Sequence, residues 1–336
     1  MRKPEFENLL AVLRCERPER PTLFEFFLNG PLYQRLAGRK YAEAWSALDE
    51  ARVNMEAYAA AGYDYVTVHA SAGYWFKTKP RERKQSYSMN DAQTIDDWKS
   101  FEAYEWEDPA AYSNAHLDEL AAYLPAGMKL IVYGPCGVME NVIKLVGYDT
   151  LCMMMFDDPA LAERIFYEVG TRLLRYYELA LPYKTVGAII SNDDWGFNTQ
   201  TFFTPAQMEK YVYPYHRKIV ALAREHGKPT ILHSCGNFDE AMEPVIAMGF
   251  NGKHSYEDVI LPVEQAYDKW GGRIAILGGI DLNFIVRSTP EQVYDRSKRM
   301  LAKTFAKGGY ALGTGNSVPE YVPQENYLAM IRAATE

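Results

Sequence analysis

The chain has 336 residues, 48% of them hydrophobic and 24% charged, with a formal net charge of −8. That is ample material for a large core, and the acidic balance excludes the basic face a nucleic-acid binder needs. No run of about eighteen apolar residues is present, and the N-terminus lacks the apolar centre of a secretory signal, so a cytoplasmic chain without a membrane span is expected.

Short apolar runs alternate with longer segments of helical period, the pattern of a parallel sheet with helical crossovers. The first run is Pro21–Phe27, behind an N-terminal helical extension. A helical segment around Tyr41–Ala61 leads to Asp64–His69, and Lys129–Tyr133 is the third run. Gly187–Ser191 follows a helix from Ala160 to Leu181; Thr230–His233 is the fifth. Weaker runs at Phe250–His254, Ile274–Leu277 and Tyr310–Leu312 bring the number to eight. Thr204-Pro205, Thr289-Pro290 and Asp158-Pro159 each place a cap residue before a proline at the first helical position. Eight such units predict an α/β fold, a single (β/α)8 barrel domain over residues 1–336. A doubly wound sheet is the alternative, though no G-x-G-x-x-G follows a strand. Met153-Met154-Met155 reads as plastic core, and the basic stretch Lys77–Lys84 as a solvated loop.

In a barrel the C-terminal strand ends form one ring around the active site. Here that ring carries Glu25, His69, Tyr133, Cys136, Asn192, Asp194 and Trp195, then His233, Cys235, His254, Tyr256, Glu257, Asp281 and Thr314. His233 and Cys235, two residues apart at the end of a strand, point to one face and could grip one ion; imidazole with thiolate suits Zn2+. An isolated H-x-C is more often a half-buried histidine beside an inert cysteine. Its place in a ring of carboxylates turns the balance toward a metal pocket. The four cysteines, Cys15, Cys136, Cys152 and Cys235, show no disulfide spacing.

The chain resembles the uroporphyrinogen decarboxylase superfamily, and within it the branch of cobalamin-dependent methyltransferases. The resemblance rests on Glu7–Leu13 leading to Arg17-Pro18-Glu19-Arg20-Pro21, then Gly134-Pro135, Asp193-Asp194-Trp195-Gly196 and Phe203-Thr204-Pro205. It continues in His233-Ser234-Cys235-Gly236-Asn237, Gly278-Gly279-Ile280-Asp281, Gly313-Thr314-Gly315-Asn316 and Val322–Asn326. It implies the (β/α)8 barrel. In the methyltransferase branch the H-x-C pair holds zinc with a third protein ligand, commonly a cysteine on strand eight, and a corrinoid protein exchanges the methyl group.

Three departures shape the expectation. The arginine-rich W-x-M-R-Q-A-G-R-Y stretch by which the decarboxylases bind substrate carboxylates is absent, since Phe26–Tyr33 holds no arginine. The decarboxylases' F-S-D-I aspartate has no counterpart near Ala70-Ser71-Ala72-Gly73. Porphyrinogen decarboxylation is therefore electrostatically disfavoured. The strand-eight cysteine is also missing, its place reading Gly313-Thr314-Gly315. A carboxylate (Glu257, Glu25 or Asp194), Cys136, or no metal at all are the alternatives for a third ligand, with Glu257 and Glu25 nearly level and Glu257 preferred. The expectation is a zinc-dependent methyltransferase passing a methyl group from a small methoxy- or methylamine-type donor to a corrinoid protein, with homodimerisation common in the superfamily. Asp194, Glu25 and His254 would be catalytic, and Tyr133, Asn192, Trp195, Tyr256, Asp281 and Thr314 would line the substrate pocket. The alternative is a metal-free carboxy-lyase acting on a smaller acid, with Asp194 as its acid/base.

Overall fold

The computed structural model describes residues 2–40, 46–71, 73–79, 88–91 and 93–336. Residues 41–45 of the expected first helical segment, Ala72, and residues 80–84 of the basic stretch lie outside the described residues. All eight expected strands form: β1 Thr22–Leu23, β2 Tyr65–His69, β3 Lys129–Tyr133, β4 Val186–Asn192, β5 Thr230–His233, β6 Gly252–His254, β7 Ala275–Leu277 and β8 Tyr310–Leu312. They pair in parallel in the order β1-β8-β7-β6-β5-β4-β3-β2. That is the cyclic order of a (β/α)8 barrel, and the doubly wound alternative is excluded.

The punctuation works as the residues dictate. Thr204 and Thr289 each close a reciprocal capping box, with Gln207 and Gln292 respectively, and Asp158 accepts from Leu161 N to open the long helix Pro159–Ala180. Met154 and Met155 are core, whereas Met153 faces outward at 61% exposure, because three consecutive residues of a helix cannot share one face. Among the described residues no helix is long and apolar enough to cross a membrane.

β1 is two residues long where seven were expected. The cause is the seam between β1 and β2, which share no ladder among the described residues. Side-chain hydroxyls replace it: Tyr65 bonds both the N–H and the carbonyl of Glu25 at 2.7 Å, and Thr67 and Tyr58 donate to the carbonyl of Phe26 at 2.8 and 3.1 Å. The Glu25 N–H and the Glu25 and Phe26 carbonyls are thus satisfied without a ladder strand. On the opposite flank of β1 the Glu25 carboxyl reaches the end of β8. Thr314 N–H donates to Oε1 at 2.6 Å, and the Thr314 hydroxyl lies 2.8 Å from Oε2 and against the Asn316 carbonyl. One hydroxyl proton cannot serve both acceptors, so the set is complete when Glu25 is itself protonated and donates to Thr314. Burial agrees, pushing the Glu25 carboxyl up to about 8 against the two Thr314 bonds that favour ionisation.

The sign of the resulting pH dependence follows. Between about pH 4.5 and 8 the folded chain holds a Glu25 proton that the unfolded chain has released, so stability falls as pH rises through that window. Glu25→Gln, a mimic of the neutral acid, should match the wild type in urea unfolding near pH 5. It should exceed it at pH 8, by roughly 1.4 kcal/mol for each pH unit of the window crossed. Equal stability at both pH values would show that Glu25 is ionised in the fold.

Candidate active site at the ends of β4, β5 and β6

Three neighbouring strands deliver the chemistry. The ladder places Asn192 opposite His233, and His233 opposite His254. It continues past the strand ends, with Asp193 N–H donating to the His233 carbonyl at 2.9 Å and Ser234 N–H to the His254 carbonyl at 2.7 Å. The segments carrying Asp194 and Cys235 are thereby held side by side, and Cys235 N–H donates to Asp194 Oδ1 at 2.8 Å. Among the described residues one group of three could hold a metal ion: Asp194, His233 and Cys235, whose ligand atoms all lie within 4.8 Å of one another. Glu257, preferred from sequence, is not in that group, nor are Glu25 and Cys136. Asp194, expected to be catalytic, falls among the donors instead.

The tautomer of His233 follows from its neighbours. His254 Nε2 lies 3.2 Å from the Thr314 carbonyl, which can only accept, so that nitrogen carries the proton. Burial keeps His254 neutral, well below the ordinary range, which leaves its Nδ1 a bare acceptor. The 2.8 Å contact between the two Nδ1 atoms must then be a donation from His233. His233, itself neutral because burial lowers it to about 3, is left with an unprotonated Nε2, the form a metal ligand requires. His254 is therefore a positioning residue, buried behind His233, rather than a group that meets substrate.

Around Cys235, Asn316 Nδ2 donates to Sγ at 3.1 Å and the Ser255 hydroxyl lies at 3.5 Å. Burial first, then the Asp194 charge, pushes the thiol up to about 12. Burial likewise raises Asp194. Both groups would thus gain from a cation placed between them. One more charge is close: Lys253, 1% exposed, lies 4.3 Å from the ring centres of both Phe238 and Tyr256 and donates to the Ser255 carbonyl. Burial lowers it to about 7.

The family model described as uroporphyrinogen decarboxylase matches residues 58–336. The chain belongs to the uroporphyrinogen decarboxylase family. Among curated relatives it is 33% identical over 128 residues to a methylated-thiol–coenzyme M methyltransferase of Methanosarcina mazei, a match covering 38% of this chain and 32% of that protein. It is 26% identical over 184 residues to a uroporphyrinogen decarboxylase of Alkalilimnicola ehrlichii, covering 54% of this chain and 48% of the relative. A methylcobamide:CoM methyltransferase of Methanosarcina acetivorans is 31% identical over 127 residues, covering 38% and 35%. The chain thus spans between a third and a half of the length of these relatives. A solved methyltransferase from Methanosarcina mazei superposes with a TM-score of 0.70 at 14% identity, covering 98% of this chain and 97% of that one, which shows the shared fold.

Within this family fold, several residues expected at the pocket are tied up elsewhere. Glu25 and Thr314 are fully buried and spend their polar atoms on each other, which removes Glu25 from the donors and Thr314 from the substrate surface. Trp195 is core: it stacks on Phe238 and its Nε1–H donates to Asp193 at 2.9 Å. Asp281 caps the helix Leu282–Arg287 and accepts from Asp258 N–H at 3.0 Å. Asn192 accepts from Gly134 N–H at 2.9 Å and is nearly buried. Tyr256 is buried beside Lys253, and Glu257 lines a small cavity with both. Tyr133 alone of the expected aromatic walls stays half-buried, at the end of β3.

Two contributors were not singled out from sequence. Asp193 accepts from Met139 N–H, Glu140 N–H and Trp195 and bonds His216 Nε2 at 2.9 Å, so it anchors the helix Val138–Val146 and the β4 end together. The Asp-Asp doublet gave no sign of which member turns inward. Lys253 could have been found as the one charged residue inside the apolar run Phe250–His254 that is not at its end.

The approach of the two loops depends on Gly236, at φ +102°, where a Cβ would lie 2.5 Å from the Gly196 carbonyl oxygen. Gly236→Ala should cost roughly 2–4 kcal/mol in denaturant unfolding. Gly227→Ala, at φ +66° with open space around it, should cost only about 1 kcal/mol. Equal losses would mean that the loop contact contributes nothing.

Proposed function

We propose that this chain is a zinc-dependent methyltransferase of corrinoid-linked one-carbon metabolism, moving a methyl group from a small methoxy- or methylamine-type donor to a corrinoid protein. The observation that carries the reading is the convergence of Asp194, His233 and Cys235 with His233 Nε2 left unprotonated. A buried nitrogen donor with a half-buried sulfur and a half-buried oxygen, within reach of one ion, fits zinc. Relatives named for methyl transfer to coenzyme M, one of them from methylcobamide, support the methyl-transfer class and the corrinoid partner.

When bound, the metal would supply Lewis acidity at the heteroatom that carries the methyl group. The chain's own residues do the rest. The Thr314 carbonyl and His254 hold the His233 ring in one tautomer and orientation. Cys235 N–H fixes one oxygen of Asp194, and Asn316 Nδ2 donates to Sγ and steadies it. A carboxylate in place of a second thiolate makes the donor set harder, which suits polarisation of oxygen or nitrogen in a donor better than capture of a soft thiol acceptor. Phe26, Phe27 and Tyr133 pack against one another, and Phe26, 4.6 Å from the His233 ring, reduces the water around it.

Elemental analysis of untagged protein is expected to find near-stoichiometric zinc, absent from a His233→Ala/Cys235→Ala double variant. Asp194→Asn should bind zinc much more weakly and Glu257→Gln as well as wild type. His254→Phe should lose about 10–100-fold in affinity through misorientation of His233. Protein that takes up no metal even after zinc addition and dialysis would overturn the proposal and bring the metal-free carboxy-lyase forward.

A further inference from the structure

A second cavity opens at the ends of β2 and β3, away from the donor triad, with roughly 800 Å3 of empty space counting its open mouth. Its lining includes Glu50, His69, Ser71, Trp75, His116 and Tyr133. We propose that this cavity recognises an uncharged hydroxylated aromatic ring, so that the methyl donor is of the phenol class; this rests on the methyltransferase reading above.

The hydrogen-bonding inventory leads there. His69 Nδ1 lies 2.6 Å from the Ser71 carbonyl. A carbonyl only accepts, so Nδ1 carries the proton and Nε2 presents a bare lone pair. That Nε2 is buried and has no partner, and neither has the buried hydroxyl of Ser71. A second donation locks the corner, from His116 Nε2–H to the His69 carbonyl at 2.8 Å. Burial lowers His69 to about 4, so the ring is neutral near pH 7. A buried acceptor without a partner is costly, and a ligand that brings an O–H removes the cost.

Shape and charge narrow the class. Trp75 stacks on His69 with centroids 4.8 Å apart and planes at 20°, yet the indole keeps 48% of its surface exposed. Tyr133 meets His69 edge-on at 5.5 Å. An exposed aromatic face thus lies beside a buried, unpartnered acceptor, a pairing suited to a flat ring bearing a hydroxyl. Among the described lining residues there is no lysine or arginine, and Glu50 is the one carboxylate. Those described residues offer an acidic ligand no pairing cation. Ring contacts run on from Tyr133 to the buried Phe26 at 5.5 Å and from Phe26 to His233 at 4.6 Å, so packed aromatic rings link the cavity wall to the donor triad.

Calorimetric titration of the full chain tests this with four probes: phenol, anisole, benzoate and methylammonium. Phenol should bind, anisole about tenfold more weakly for want of the O–H, and benzoate and methylammonium more weakly than either. His69→Phe keeps a ring under Trp75 but no acceptor, and should bring phenol down to the anisole level. Ser71→Ala, which leaves His69 untouched, should also narrow the gap between the two. Equal binding of phenol and anisole by the wild type, tighter binding of methylammonium, or no binding of any ring would overturn the proposal. The double variant His233→Ala/Cys235→Ala keeps the two readings apart. Zinc uptake without phenol binding refutes the phenol slot alone, and phenol binding without zinc uptake refutes the metal reading alone.

Discussion

The contact on which the mouth of this barrel depends is the 2.8 Å bond between the Nδ1 atoms of His233 and His254. Two neutral imidazoles can bond in that way only if one gives and the other takes, and neither ring decides. The backbone carbonyl of Thr314 decides, by taking the other proton of His254. Backbone polarity is not open to rotamer choice, so the free lone pair on His233 is set by the path of β8. The approach requires a glycine at 278. A Cβ there would sit 2.3 Å from the Thr314 carbonyl oxygen and 2.9 Å from the His254 ring. The Gly278-Gly279 pair therefore belongs to the ligand chemistry as much as His233 does.

Much of the fold could be read from the residues because hydrophobic runs and helix caps are local signals. Thr204-Pro205, Thr289-Pro290 and Asp158-Pro159 open helices for reasons contained within four residues. β1 escaped because its partner across the seam is a set of tyrosine and threonine hydroxyls from β2 and the helix before it, which no alternation in Pro21–Phe27 encodes. The candidate site was legible in part. An imidazole and a thiol two apart at a strand end are visible, and a carboxylate near them is a fair expectation. Which carboxylate depends on the loop contact at Gly236 and on Asp193 turning away to serve Met139, Glu140, Trp195 and His216. Glu257 and Asp194 look alike in sequence; position after β4 or β6 separates them. Nor could the neutral state of Glu25 be foreseen, since it follows from full burial beside a hydroxyl supplied 289 residues later.

The switch of donor has a spatial consequence. A third ligand on strand eight would draw the donors across the barrel mouth from β5 to β8. Here the side chain of Thr314 turns to Glu25, and the three candidate donors come from the adjacent ends of β4 and β5. Among the described residues the half of the mouth over β8, β1 and β2 holds none of the three candidate donors, and Phe26 and Phe27 stand there with Tyr133 against them. An apolar floor of this kind admits a flat, uncharged body and disfavours a polyanion. It also lies on the path from the β2–β3 slot to His233. Charge points the same way. Lys253 is buried near the triad and when protonated offsets part of the negative charge of Asp194, whereas the described residues of the slot include no lysine or arginine. A ligand spanning the two would meet acceptors at its far end and the Lys253 side of the site at the other. That polarity matches a donor whose leaving heteroatom gains negative charge as the methyl group departs.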